Sequence, residues 1–148
     1  MIKLHTLFNS LCADFLAPIA NLWARIYLGW CVFLASGLLK LEDMEGTIES
    51  FDPEEDGEFV VSFLQPGILS PEVAAYMATA GEIILPVLLM LGLFTRFSAA
   101  GLFIMAAVIQ YGVFQEPVHV MWMIAFAMLV GYGGNKISLD YLLLKIKK

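Results

Sequence analysis

The chain has 148 residues, of which 60% are apolar and only 15% charged, and its mean hydropathy is +0.81. That balance excludes an ordinary soluble enzyme domain, in which about a quarter of the residues are charged. The formal charge of −6 is concentrated: Glu42–Glu72 holds ten of the 14 acidic residues and none of the eight basic ones. The remainder is net positive, yet no basic face suggests nucleic acid.

In chain order, Met1–Ala17 places Leu4, Leu7, Phe8, Leu11 and Phe15 at helical spacing, with Lys3, Asn9, Ser10 and Asp14 largely opposite. This reads as an amphipathic helix on the membrane surface, broken at Pro18. The interruptions at Asn9, Ser10 and Asp14 argue against a cleavable signal peptide. Four apolar spans follow, over about residues 21–41, 73–95, 97–115 and 118–135, each approaching the roughly 20 residues a bilayer crossing needs. An outer acidic loop, 42–72, separates the first two. Within it, Asp52–Gly57 reads as a solvated turn and Phe59–Leu64 as a short helix. Ser70-Pro71-Glu72 is a helix start: a capping hydroxyl, a first-turn proline and a carboxylate that complements the dipole.

A short turn around Thr95-Arg96 and the break at Glu116-Pro117 join the later spans and force antiparallel neighbours. Ser138-Leu139-Asp140 opens a terminal amphipathic helix with Leu139, Leu142, Leu143 and Ile146 against lipid. The expected fold is therefore an all-α membrane protein. It is a single domain over residues 1–148, an antiparallel bundle of four transmembrane helices with interfacial helices at both ends. Lys3, Arg96, Lys136, Lys145, Lys147 and Lys148 fall on one side of such a bundle. The positive-inside rule makes that side, with both termini, cytoplasmic.

Cys12 and Cys31 lie nineteen apart without a CxxC, so neither disulfide exchange nor a metal site is expected. The anomalous residue is Glu82, a lone carboxylate near the middle of the second span. A charge at that depth costs several kcal/mol unless it is paired or faces a polar cavity, so it marks a site candidate. On the first span Arg25, Gly29, Ser36 and Lys40 are spaced 4, 7 and 4 and share one stripe. At about 1.5 Å per residue, Lys40 and His119 lie near the outer surface, Ser36 and Gln110 roughly 8 Å inside it, and Glu82 roughly 13 Å.

Two polar groups result. The outer one comprises Ser36, Lys40, Glu82, Gln110 and His119, with Trp122 beside His119. The inner one comprises Arg25, Arg96 and Asp140. Each has a structural alternative: Arg96 as topology anchor, Lys40 snorkelling outward, His119 and Trp122 as interface anchors, Gln110 bonding helix to helix, and Arg25 pairing with Asp140. Pro86 frees the carbonyl of Glu82, four residues earlier, adding local polarity.

These features together resemble the DoxX family of small four-helix membrane proteins. The residues that carry the resemblance are Arg25-x3-Gly29, Gly37-x2-Lys40-Leu41, Glu82, Leu91-Gly92-Leu93-x-Thr95-Arg96, Gln110, His119-x2-Trp122 and Gly131-x2-Gly134-x2-Ile137-Ser138-Leu139-Asp140. The resemblance implies a bacterial inner-membrane protein accessory to a quinone-linked redox system, with a redox enzyme subunit or another copy of the chain as partner. The chain carries no redox centre of its own, so a partner or a bound quinone would carry the electrons. Glu82, Lys40, Ser36, Gln110, His119 and Trp122 are the ligand candidates. The competing readings are a non-enzymatic scaffold that docks a partner and, less favoured in four short spans, a small transporter or proton path.

Overall fold

The computed structural model describes residues 2–51, 70–112 and 116–146, and no strand occurs among them. The elements are α1 (Ile2–Leu11), α2 (Ala17–Val32), α3 (Leu39–Glu42), α4 (Met44–Ser50), α5 (Pro71–Leu91), α6 (Thr95–Gly112), α7 (Pro117–Tyr132) and α8 (Leu139–Ile146). Two π-helical stretches, Cys12–Leu16 and Phe33–Leu38, join α1 to α2 and α2 to α3.

The expected break at Pro18 does not occur. Leu4–Glu42 is one uninterrupted helix of 39 residues, about 58 Å of α-helical rise against a hydrocarbon core of about 30 Å. Proline lacks an N–H and crowds the carbonyl four residues back. The π-helical stretch immediately before it widens the turn, with the Ala17 N–H bonded to the Cys12 carbonyl five residues earlier, so the helix continues. The amphipathic N-terminal segment is thus an extension of the first apolar helix rather than a separate one.

Pro71–Leu91 is the second helix long and apolar enough to cross a membrane; Thr95–Tyr111 and Pro117–Tyr132 are shorter apolar helices. The α5 start is as its residues dictate, with the Ser70 hydroxyl accepting from the Val73 N–H. Its end is Gly92, at φ 69° in the left-handed region that favours glycine. The turn to α6 is therefore Gly92–Phe94, and Thr95 is already the first residue of the next helix, two residues earlier than the sequence pattern suggests. Likewise α7 ends at Tyr132 because Gly133 has φ 72°. The expected acidic turn Asp52–Gly57 and helix Phe59–Leu64 lie outside the described residues, but the loop's first part is ordered as α4. Asp43 caps it by accepting from the Gly46 N–H at 3.0 Å.

The helices α2, α5, α6 and α7 pack in that order, and α2 also touches α7. Leu28 and Val32 of α2, Leu89 of α5, Ala99 and Leu102 of α6, and Phe126 and Leu129 of α7 form the buried core. Large apolar side chains point outward from each of these helices, among them Trp23, Ile84, Ile104 and Ile124. On a soluble protein so much exposed apolar surface would be a liability, whereas lipid accepts it.

Two glycines set the approach of the first helix to α5. A Cβ on Gly37 would stand 2.8 Å from the Glu82 carbonyl oxygen, and one on Gly29 2.9 Å from that of Pro86. Backbone thus packs on backbone beside the carbonyl that Pro86 leaves without its helical donor. Gly37→Leu is expected to cost about 1–3 kcal/mol through overpacking. Gly131→Leu, at a position with nothing within 4 Å, should melt with the parent protein in the same detergent; equal melting of the two variants would refute the close approach.

Candidate functional site

The π-helical stretch Phe33–Leu38 rotates Ser36 toward α5. Its hydroxyl donates to Glu82 Oε2 at 2.7 Å, and Lys40 Nζ donates to Oε1, also at 2.7 Å. Each carboxylate oxygen of Glu82 is therefore engaged. The environments differ sharply, since the Glu82 side chain is 3% exposed and that of Lys40 26%. Lys40 reaches inward from the open end of its helix, its stem along apolar surface. Above it α4 folds back: the Thr47 hydroxyl donates to the Asp43 carbonyl at 2.7 Å and approaches the Lys40 carbonyl at 3.3 Å. Nothing in the spacing of the acidic loop pointed to Thr47.

Gln110 and His119 form a second group. Gln110 Oε1 accepts from the Glu116 N–H at 3.0 Å and lies 3.2 Å from His119 Nδ1. Because the Glu116 N–H requires an acceptor, the Gln110 atom facing His119 is its oxygen, and Nδ1 is the donor to it. Gln110 thereby holds the start of α7, where Pro117 supplies no donor. His119 and Trp122 lie one turn apart, with ring centroids 5.7 Å apart and planes inclined at 58°. The bonds of Gln110 go to this group and not to Glu82, so the outer residues divide into a charged triad and an amide–imidazole–indole group.

The inner residues also divide. Arg25 is fully buried; its Nε donates to Asn21 Oδ1 at 3.1 Å and its Nη2 to the Ile137 carbonyl, while Nη1 has no partner among the described residues. Asn21 donates in turn to the Gly133 carbonyl at 2.9 Å. Arg25 and Asp140 thus form no ion pair, contrary to the sequence expectation, because the Asp140 oxygens are already taken. Oδ1 accepts from the Phe94 N–H and Oδ2 from the Thr95 N–H and hydroxyl, all at 2.8 Å. A carboxylate from α8 therefore caps α6, where the free amides and the positive end of the helix dipole favour an anion. The Asp140 N–H closes the arrangement on the Gly92 carbonyl at 2.9 Å. Gly92 is needed twice over, since a Cβ there would also collide with Arg25 Nη1. Arg96 bonds to neither and lies over Gly133. Asn21, which completes this inner network, carries no signal in the sequence apart from its helical register, and Thr95 enters there only as part of the Thr95-Arg96 turn and the Leu91–Arg96 motif.

Lys136 Nζ donates to Asp14 Oδ1 at 2.7 Å, tying the first helix to the α7–α8 connection. The hydrogen bond and charge of Asp14 raise the lysine above its ordinary value. Any contribution is complete below the ordinary lysine range and disappears as pH climbs through the raised value. Both groups are exposed, so this pair is a weak tether. Among the described residues no three of His, Cys, Asp and Glu converge, and Cys12 and Cys31 are free thiols.

The described residues are helical with lipid-compatible outer faces and a buried carboxylate held by Ser36 and Lys40, which defines the class of small helical membrane proteins. The model of the DoxX family matches residues 20–115, more than half of the sequence, and the chain belongs to the DoxX family. The matched region includes Arg25, Ser36, Lys40, Glu82, Arg96 and Gln110 and ends before His119 and Asp140. An uncharacterised protein of Haemophilus influenzae (strain Rd) is 27% identical over 132 residues, covering 82% of each chain. No solved structure matches.

Proposed function

We propose that this DoxX-family membrane protein is a four-span accessory subunit of a quinone-linked redox system in the bacterial inner membrane, with both termini cytoplasmic. The four apolar helices α2, α5, α6 and α7 are the spans, the last three antiparallel through their short connections, and α8 lies at the interface. The observation that carries the functional reading is the buried carboxylate of Glu82 bonded to both Ser36 and Lys40. A quinone head presents two carbonyl oxygens and, when reduced, two hydroxyls. Lys40 can donate to a quinone carbonyl, and Glu82 can accept from a quinol hydroxyl once it exchanges one of its present bonds. His119 and Trp122 add an aromatic wall and further donors toward the same end of the bundle. Electrons would come from a partner enzyme or pass through the quinone itself, with the protein supplying binding and orientation.

The experiment extracts the purified chain with organic solvent, identifies copurifying quinones, and measures binding of a short-chain ubiquinone analogue by the wild type and Glu82→Gln. Binding weakened about tenfold or more in Glu82→Gln, the worth of one charge-assisted bond, is the expected result. Absence of quinone from the extract together with unchanged analogue binding would exclude the reading. It would leave a docking scaffold, to be recognised by one stable protein partner in detergent.

A further inference from the structure

A groove of about 510 Å³ opens at the inner end of the molecule, between the start of α6, the Gly133–Ser138 connection and α8. Its walls combine two kinds of chemistry. Arg96 and Lys136 supply cationic head groups, while Tyr132, Leu143 and Leu144 supply a largely apolar side. Arg96 lies across Gly133, where an added Cβ would stand 3.1 Å from its Nε. The guanidinium forms no hydrogen bond or ion pair among the described residues. Asp140 also lines the groove, but both its oxygens face the start of α6. Behind Ser138 the buried Arg25 contributes a further positive charge whose Nη1 has no partner among the described residues. The cations therefore outnumber the anions around this cleft, and Leu143 and Leu144 are exposed beside them.

We infer that this groove holds the head group of an anionic phospholipid from the leaflet on the side of both termini. The phosphate lies between Arg96 and Lys136, and an acyl chain runs along Leu143 and Leu144. Arg96 offers the planar fork that matches phosphate oxygens, and Lys136 offers a point charge that a phosphate can share with Asp14 or take from it. A soluble anion would use the cations but leave the adjoining leucines exposed. A zwitterionic lipid would use the leucines but bring its own cation toward two others. An anionic lipid satisfies both halves, as basic clefts beside membrane helices do in general. The site is separate from Glu82 and independent of any quinone.

The test reconstitutes the full chain in nanodiscs of phosphatidylcholine with a minor fraction of phosphatidylglycerol and reads the retained lipid by native mass spectrometry. Retention of phosphatidylglycerol in excess of its share is expected. Arg96→Gln and Lys136→Gln should each lower that preference about fivefold, the effect of one cation facing an anionic lipid surface. Arg96→Lys should keep most of it. On the unaltered chain the preference should weaken as salt is raised, which needs no variant to fold. Retention in proportion to composition overturns the inference, as does an undiminished preference in a double glutamine variant of native helicity. Displacement by inorganic phosphate at the same concentration as the lipid assigns the groove to a soluble anion and overturns it too.

Discussion

Asp140→Ala is expected to destabilise the protein by about 3 kcal/mol. Bonds to an ionised acceptor contribute about 1.5–3 kcal/mol each, and this carboxylate accepts three. The sum is not additive, because Phe94 is exposed and water can replace the carboxylate on its amide. Thr95 is fully buried, and its amide and hydroxyl would be left unsatisfied where water does not reach, which is the larger part of the cost. Arg25 would also lose the carboxylate whose charge it feels across the cluster. Asp140→Asn keeps one acceptor oxygen but not the charge, and should fall about midway. Thermal unfolding in a mild detergent, followed by loss of helical circular dichroism, reads the order wild type, Asn, Ala. An alanine variant that melts with the wild type would mean that the α8 carboxylate does not secure α6.

The division between what the sequence made legible and what it did not follows from the range of the interactions. Apolar runs, the Ser70-Pro71 start and the Glu116-Pro117 start are local signals, and they locate α5 and α7 to within a few residues. Glu82 was conspicuous because a single carboxylate in an apolar run violates its surroundings, and spacing on the first helix was enough to place Ser36 and Lys40 on one face. Depth along the helices placed Gln110 and His119 in one outer group. It could not tell that Gln110 is committed to the α7 start rather than to Glu82, since that depends on how two helix ends meet. Pro18 misled for a related reason: a proline breaks an α-helix but can be absorbed by a π-helical turn, and no residue pattern distinguished the two outcomes. The Asp140 cap joins positions 45 and 46 residues apart, so only the folded arrangement reveals it. The same holds for the Arg25–Asn21 pair, whose purpose is visible only once the Ile137 carbonyl arrives beside it.

The second large effect concerns the unequal burial of the Glu82–Lys40 pair. Removing one partner of a buried ion pair typically costs about 3–5 kcal/mol, because the remaining charge is left in a medium that cannot solvate it. The full cost applies only to the partner that cannot escape. In Lys40→Met the stranded group is Glu82, whose side chain is 3% exposed and whose remaining bond is to Ser36; a loss of about 3–5 kcal/mol is expected. In Glu82→Gln the stranded group is Lys40, 26% exposed, with a four-carbon stem that can carry its ammonium to the outer surface. The amide also keeps an acceptor for Ser36. That loss should be only about 1–2 kcal/mol, the cost of an imperfect hydrogen-bond exchange. The double variant removes both charges, and its cost should fall well short of the sum, with a coupling of up to about 3 kcal/mol. Unfolding of the four proteins in one detergent, at one pH, gives the cycle. If Glu82→Gln proved the more damaging of the two, or the two losses simply added, the carboxylate would not depend on Lys40 for its burial. Should the double variant instead approach wild-type stability while losing quinone-analogue binding, the pair would be dispensable for folding, and its retention would then be explained by the ligand it binds.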